Sequence, residues 1–402
     1  MINDAIKKEE TKDMKSKLTK ILVLSIFAAG LFTVCAGESI AWEKGSLKIV
    51  PSAKYEQRWD SNIFYDREDP QHDWIFITTP GIMGELGFGP EKKHKVIADY
   101  KVELGAFARY DDQNYGNHDL RTAINLDFDK YTLDTSNRFQ FTSSRAGTEF
   151  NNRVLRKIDT FDTVLGWHYN KLDFDTGYRF YIVDYLSDTL DSIDYYQNEG
   201  WITGYVQVAP KTKALLEFDY QNIQYPDSSG RNGNAYAILT GVKGQITGKL
   251  EGTAKIGYKY KDYNSSTQKD YSNYVAGVDL FYDMNKRVDM SFSYYREPYE
   301  STYTNNNYYT GDHLTYNVKY DLGRDFTAIL DTFWFHNVYK ASGTGEVNKR
   351  QDNEWQIAPR LEYKWKNYVV VGGGYKFHQR ESNIGSRRYD QHVINADITL
   401  MF

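Results

Sequence analysis

Apolar and polar side chains alternate with period two along this chain from about Leu47 to its end. That is the strand period, because successive strand residues point to opposite faces. In one segment Leu250, Ala254, Ile256, Tyr258 and Tyr260 alternate with Glu251, Thr253, Lys255, Lys259 and Lys261. In another Leu172, Phe174, Tyr178, Phe180 and Ile182 alternate with Asp173, Asp175 and Arg179. A third sets Trp355, Ile357, Leu361, Tyr363 and Trp365 against Gln356, Arg360, Glu362 and Lys364. At the end, His392, Ile394, Ala396, Ile398, Leu400 and Phe402 share one face, and Val393, Asn395, Asp397, Thr399 and Met401 the other. The pattern divides into about eighteen strands. The segments 200–209 and 325–340 have mixed faces, and one register of the latter turns Asp331 outward.

Turn formers such as Asn170-Lys171, Pro210-Lys211, Gly323-Arg324 and Lys366-Asn367 make every second connection tight. The connections between them are longer and polar, among them 61–72, 111–117, 145–159, 187–198 and 301–311. Short turns on one rim and long loops on the other is the asymmetry of outer-membrane barrels. The expected fold is therefore all-β, a single transmembrane antiparallel up-and-down barrel with both termini on the periplasmic side.

Alternation alone also suits a soluble two-sheet sandwich, and composition separates the two. The chain has 402 residues, of which 35 are tyrosine and 16% aromatic, yet its mean hydropathy is −0.66. Helical membrane proteins need runs of about 20 apolar residues, whereas a barrel exposes only alternate residues to lipid. Aromatics near strand ends (Trp74, Trp167, Tyr169, Trp201, Trp355, Trp365 and Tyr368) fit an interfacial girdle.

The one long apolar run, Ile21 to Val34, follows Lys15, Lys17 and Lys20. It reads as a secretory signal over residues 1–41, with cleavage after Ala36 or Ala41 and Met14 as an alternative start. A barrel over 42–402 follows, with no room for a separate plug domain. The only cysteine, Cys35, falls in the signal, so disulfides play no part in the mature chain. Residues 1–41 hold 6 of the 49 Lys+Arg and 5 of the 54 Asp+Glu, leaving 43 against 49, net −6. That balance gives no reason to expect nucleic acid.

The stretch Asp60-Ser61-Asn62-Ile63-Phe64, followed by Thr79-Pro80-Gly81-Ile82, resembles the Putative beta-barrel porin 2 family. Ser144-Arg145-Ala146-Gly147 and Gly177-Tyr178-Arg179-Phe180 with Asp184-Tyr185 are similar to the same pattern, and the resemblance runs over nearly the whole mature chain. It implies an outer-membrane barrel that often exports a secreted or capsular polysaccharide beside a periplasmic export protein. A general or solute-selective porin is the alternative within that class. The closing strand resembles the C-terminal signature by which barrel-assembly machinery recognises its clients, with Phe402, Leu400 and Ile398 carrying it. Outer-membrane lipid and lipopolysaccharide are the other expected partners.

Candidate lumen residues are Lys255, Lys259, Lys261, Arg179, Arg360, Lys364 and Lys376, with Glu217, Asp219, Asp173 and Asp175 of opposite sign. Such charges act on permeating ions, although a hydrated lumen also tolerates them as cross-strand pairs. The three lysines at 255–261 form a column on one face, which Glu217 and Asp219 stand near enough to neutralise in part. The loop Tyr303-Thr304-Asn305-Asn306-Asn307-Tyr308-Tyr309 reads first as a solvated external loop, and second as a surface for stacking on sugars.

The chain offers little for catalysis by an outer-membrane lipid or peptide hydrolase. Asp312-His313 pairs a base with a potential orienter, but adjacent strand residues point to opposite faces. No cluster has metal-ligand spacing, and no cofactor is expected. Gly372-Gly373-Gly374 lies inside a strand, where it suggests close packing rather than a phosphate loop.

Overall fold

A computed structural model describes residues 41–265, 270–303, 306–339 and 350–401. The signal segment 1–40 and Phe402 lie outside the described residues. A short strand, β1 (Trp42–Lys44), precedes β2 (Leu47–Asp60), β3 (Asp73–Phe88), β4 (His94–Phe107), β5 (Tyr115–Asp127) and β6 (Tyr131–Thr142). Then come β7 (Arg156–Tyr169), β8 (Leu172–Tyr185), β9 (Tyr195–Ala209), β10 (Thr212–Gln224), β11 (Gly233–Gln245), β12 (Leu250–Tyr263) and β13 (Tyr271–Asn285). The last are β14 (Val288–Glu300), β15 (Tyr308–Gly323), β16 (Phe326–Tyr339), β17 (Gln351–Lys366), β18 (Val369–Ser382) and β19 (Tyr389–Met401).

Each strand from β2 onward pairs antiparallel with the next, and β19 pairs with β2 from Val393↔Asp60 to Met401↔Ser52. The sheet is thereby a closed barrel of eighteen strands, with β1 as an extra. Closure leaves no edge strand to associate wrongly. β19 stops short of the start of β2, and β1 folds back onto that free margin through Trp42↔Ile49 and Lys44↔Leu47. It completes the seam that β19 leaves open. Because the strand number is even, the first and last barrel strands begin and end on one rim, the rim of the tight turns.

The outer face is apolar and exposed. Ile82, Ile124, Leu165, Ile202, Leu216, Ile238, Ile256, Ile357 and Ile394 form a middle band, flanked toward the tight turns by Phe88, Tyr131, Trp167, Tyr169, Tyr320 and Trp365. Toward the long loops, outward tyrosines find polar partners: Tyr100 with His118 (2.7 Å), Tyr178 with Asn198 (2.7 Å) and Tyr375 with His392 (2.7 Å). Rings against lipid with hydroxyls toward water is the expected girdle chemistry. Among the described residues no helix is long and apolar enough to cross a membrane.

Three local departures from the sequence pattern have physical causes. Residues 119–128 and 138–145, with nothing assigned between, become β5 and β6 joined by a tight turn at 128–130. Asp129 takes φ +66 there and Phe128 N–H donates to Tyr131 O at 2.8 Å. The polar start of β6 hid it. Trp201 is not a girdle residue: β9 turns it inward, where its ring lies over Gly177 and any Cβ on that glycine would be 2.0 Å from the indole. β16 has mixed faces because Phe333 and Phe335 point inward, their rings stacked at 4.4 Å. Asp331 shares that inward face and accepts from Asn317 Nδ2 at 2.5 Å.

Candidate functional site at the loop-side mouth

The connection between β6 and β7, residues 143–155, folds into the barrel mouth as a hairpin. Arg145 and Arg153 are bridge partners, and Gly147 takes the left-handed φ of +65 that a tight tip needs. The root is held by Arg156, whose Nη1 donates to Ser144 O (2.5 Å) and Val154 O (3.0 Å). On one flank Ala146 packs with Val183, Tyr185 and Ile193.

The tip reaches the far wall. Ser301 Oγ donates to Glu149 Oε1 and Thr302 N–H to Glu149 Oε2, both at 2.6 Å. Arg387 Nη1 donates to Glu149 O (3.1 Å), and Arg350 Nη2 to Thr148 O (3.2 Å). Asn337 Nδ2 donates to Thr148 Oγ1 at 3.4 Å. Asn337 is on β16, nine strands from β7 and half-way round the barrel. The hairpin therefore spans the mouth along a diameter. Burial raises the pKa of the Glu149 carboxyl; Ser301, Thr302 and Arg350 act in the opposite direction without overcoming it.

Beneath the hairpin a buried ionic cluster ties β17, β18 and β19 to it. Glu354 accepts from Arg380 Nε (3.0 Å) and Tyr389 Oη (3.1 Å), and lies 2.8 Å from His378 Nε2 and 3.5 Å from Arg145 Nη2. A carboxylate this buried is tolerable only with such partners. No sequence signal pointed to this cluster, since its members are spread from residue 145 to residue 389. The segment expected as a solvated external loop is also tucked in: Asn306, Asn307, Tyr308 and Tyr309 are buried. Thr304 and Asn305 lie outside the described residues.

The lysine column stands on the inner face of β12, but it is largely neutralised. Lys255 Nζ donates to Glu217 Oε2 at 2.7 Å, and Lys261 is buried against Glu300. Lys259 lines a recess of about 220 Å³ with Lys255, Glu199, Glu217, Asp219, Asp279 and Glu297, where carboxylates outnumber ammonium groups. Asp173 pairs with Lys213 and with His168, and Asp175 lines a second recess with Lys211, Lys213 and Lys243. Arg179 bonds Asp162 at 2.6 Å and lies 3.6 Å from Glu199.

Arg360 bridges Glu362 (2.9 Å) and Asp397 (2.7 Å). Gly372 makes that possible, because a Cβ there would sit 2.0 Å from Arg360 Nη2. Lys364 and Lys376 share this inward-facing register. On β19 Ile398 and Leu400 pack on Val369, with Leu400 buried. Six of the charges expected in the lumen, Asp173, Arg179, Glu217, Lys255, Lys261 and Arg360, thus stand in ion pairs.

Asp312 and His313 diverge. Asp312 faces outward to Arg296 (2.6 Å), while His313 faces inward, 2.9 Å from Asn337 Oδ1. They form no dyad. Among the described residues no group of three or more His, Cys, Asp or Glu is placed to hold a metal ion.

Residues 38–402 match the family model described as Putative beta-barrel porin 2. No curated protein matches the sequence. Similar solved structures include OccAB4 of Acinetobacter baumannii (TM-score 0.46, 12% identity, 91% of this chain and 100% of that one). OprD of Pseudomonas aeruginosa has TM-score 0.45 at 10% identity, over 90% of this chain and 97% of its own. OpdK of the same organism has TM-score 0.45 at 11% identity, over 89% and 99%.

Proposed function

This chain belongs to the Putative beta-barrel porin 2 family and is a porin-like barrel of the bacterial outer membrane, and on that premise we propose that it is a passive conduit for small hydrophilic solutes, gated by the 143–155 hairpin. The hairpin's crossing of the mouth to Ser301, Thr302, Asn337 and Arg350 carries this reading. An 18-stranded barrel is otherwise wide enough for an open aqueous channel. A strap across it restricts passage to small solutes, and the paired wall charges below supply a polar path of mixed sign. The tight-turn rim is then periplasmic, and residues 1–41 act as the export signal. Barrel-assembly machinery would read the closing strand through Ile398, Leu400 and Phe402, and lipopolysaccharide would meet the tyrosine belt.

The docking of Glu149 makes a pH prediction. Its pKa is raised in the docked hairpin, so docking is strongest with the carboxyl protonated and weakens as pH rises through the raised pKa. Single-channel conductance should therefore increase as pH is raised from its ordinary carboxylate range toward neutrality. Glu149→Gln should hold the low-conductance state across that range, and Glu149→Ala should release it. Identical pH profiles for wild type and E149Q would remove Glu149 from the gate.

A second reading, polysaccharide export with a periplasmic export protein, is favoured by the inward aromatics. Phe333 and Phe335 stack near His313, whose ring lies over that of Tyr299 at 4.5 Å. Flat apolar faces suit sugar rings. Under this reading the hairpin must undock for polymer to pass. Deletion of the gene should then abolish a surface polymer, whereas under the first reading it should slow solute uptake and leave surface polymers unchanged.

A further inference from the structure

We propose that a pocket under the hairpin binds the carboxylate of an acidic sugar or small organic acid, held by Arg58, Arg145 and Arg153. The proposal rests on the conduit reading and supplies its solute class. The pocket, about 80 Å³, lies between the two legs of the hairpin, which carry Arg145 and Arg153, and the inner face of β2, which carries Arg58. Tyr65 and Phe107 close its apolar side.

The three guanidinium groups are not equally satisfied. Arg58 Nη2 is 2.7 Å from Glu56, and Arg145 has Glu354 at 3.5 Å. Arg153 has no carboxylate within ion-pair distance among the described residues. Its Nη2 donates to Ser143 Oγ (2.9 Å), and its guanidinium lies over the Tyr115 ring at 3.7 Å. Its Nε is buried without a hydrogen-bond partner, as is Oδ1 of neighbouring Asn151. The one acid lining the pocket, Asp60, is already engaged by Gln391 Nε2 (2.8 Å) and Asn62 N–H (2.9 Å).

Arg153 is half-buried with no carboxylate in ion-pair contact, and an anion entering the pocket would supply one. Burial also disfavours the charged form of Arg153. Guanidinium presents two parallel N–H donors that match a carboxylate's two oxygens, which a neutral hydroxyl does not. The space is that of about two to three water molecules, given about 30 Å³ for each in the liquid. It admits a carboxyl head while the rest of the molecule stays in the lumen. A negatively charged solute would thus be selected beneath the hairpin.

The test uses the refolded full barrel and saturation-transfer NMR with sodium glucuronate, glucose serving as the neutral analogue. Wild type should bind glucuronate and not glucose. Arg153→Gln should weaken glucuronate binding roughly tenfold, the scale of losing one charge-assisted hydrogen bond, and Arg153→Lys should fall between. If R153Q fails to insert by heat-modifiable gel mobility, Arg58→Gln, on the wall, carries the same expectation. Equal binding of glucose and glucuronate, or unchanged affinity in the inserted variant, overturns the proposal.

Potassium chloride conductance in planar bilayers tests the conduit separately. Conduction without glucuronate binding removes the site and leaves the conduit, while binding without conduction does the opposite. Both sources of carboxylate support the site: tighter binding of an oligogalacturonate than of the monomer points to a polymer, and equal affinity to free acids.

Discussion

Replacing residues 146–152 by Asn-Gly should raise single-channel conductance roughly threefold or more, because an 18-stranded barrel with no inward strap leaves an open aqueous channel. The change keeps Arg145 and Arg153 as bridge partners and joins them with the dipeptide that tight hairpin tips prefer. It removes Thr148 and Glu149, and with them the bonds to Ser301, Thr302, Asn337 and Arg350. The root bonds of Arg156 to Ser144 and Val154 survive. No strand loses a ladder partner, so assembly should be unaffected. Conductance in planar bilayers is the measurement, with heat-modifiable mobility as the control for folding. A properly inserted variant with wild-type conductance would mean that the hairpin does not limit flow, and the gating proposal would fall with it.

The barrel was legible in the sequence because its signal is local. Alternation in β8, β12 and β17 is set by residues two apart, and each such row lands on one face of the closed sheet. Where the inner face carries aromatics the signal blurs. Trp201 over Gly177 confuses β9, and Phe333 with Phe335 confuses β16, because apolar side chains then occupy both faces. The tight turn at 128–130 has no proline or glycine, and Asp129 supplies its left-handed residue.

The mouth was illegible for a different reason. Ser144-Arg145-Ala146-Gly147 was visible only as a family-like motif in a polar loop. The partners that fold it inward, Ser301, Asn337, Arg350 and Tyr389, lie 150 to 250 residues further along the sequence, roughly the distance at which neither period nor spacing carries information. The lysine column shows the same limit. Its inward face could be read from Ile256 and Tyr258 beside it, but its neutralisation by Glu217 and Glu300 depends on which strands stand next to one another.

Ile256→Arg should destabilise the barrel by roughly 2–4 kcal/mol, the cost of an arginine on the lipid face near the bilayer midplane. Ile256 is 57% exposed on the outer face of β12, opposite Thr240 of β11 and Ala276 of β13. A guanidinium there has no carboxylate opposite it on either neighbouring strand. Its neighbour Lys255 faces the lumen, so Lys255→Ala removes one ion pair. Glu217 keeps the hydrogen bond that it accepts from Thr203 Oγ1 at 2.7 Å, and water can replace the ammonium group. That loss should cost about 1 kcal/mol or less, as expected for a partly exposed pair. Two adjacent residues should therefore differ severalfold in effect solely because the strand period sends one to lipid and the other to water. Refolding titrations into lipid vesicles read both values. A larger loss for K255A than for I256R would shift β12 by one residue, and would turn every lysine assigned to the lumen on that strand toward the membrane.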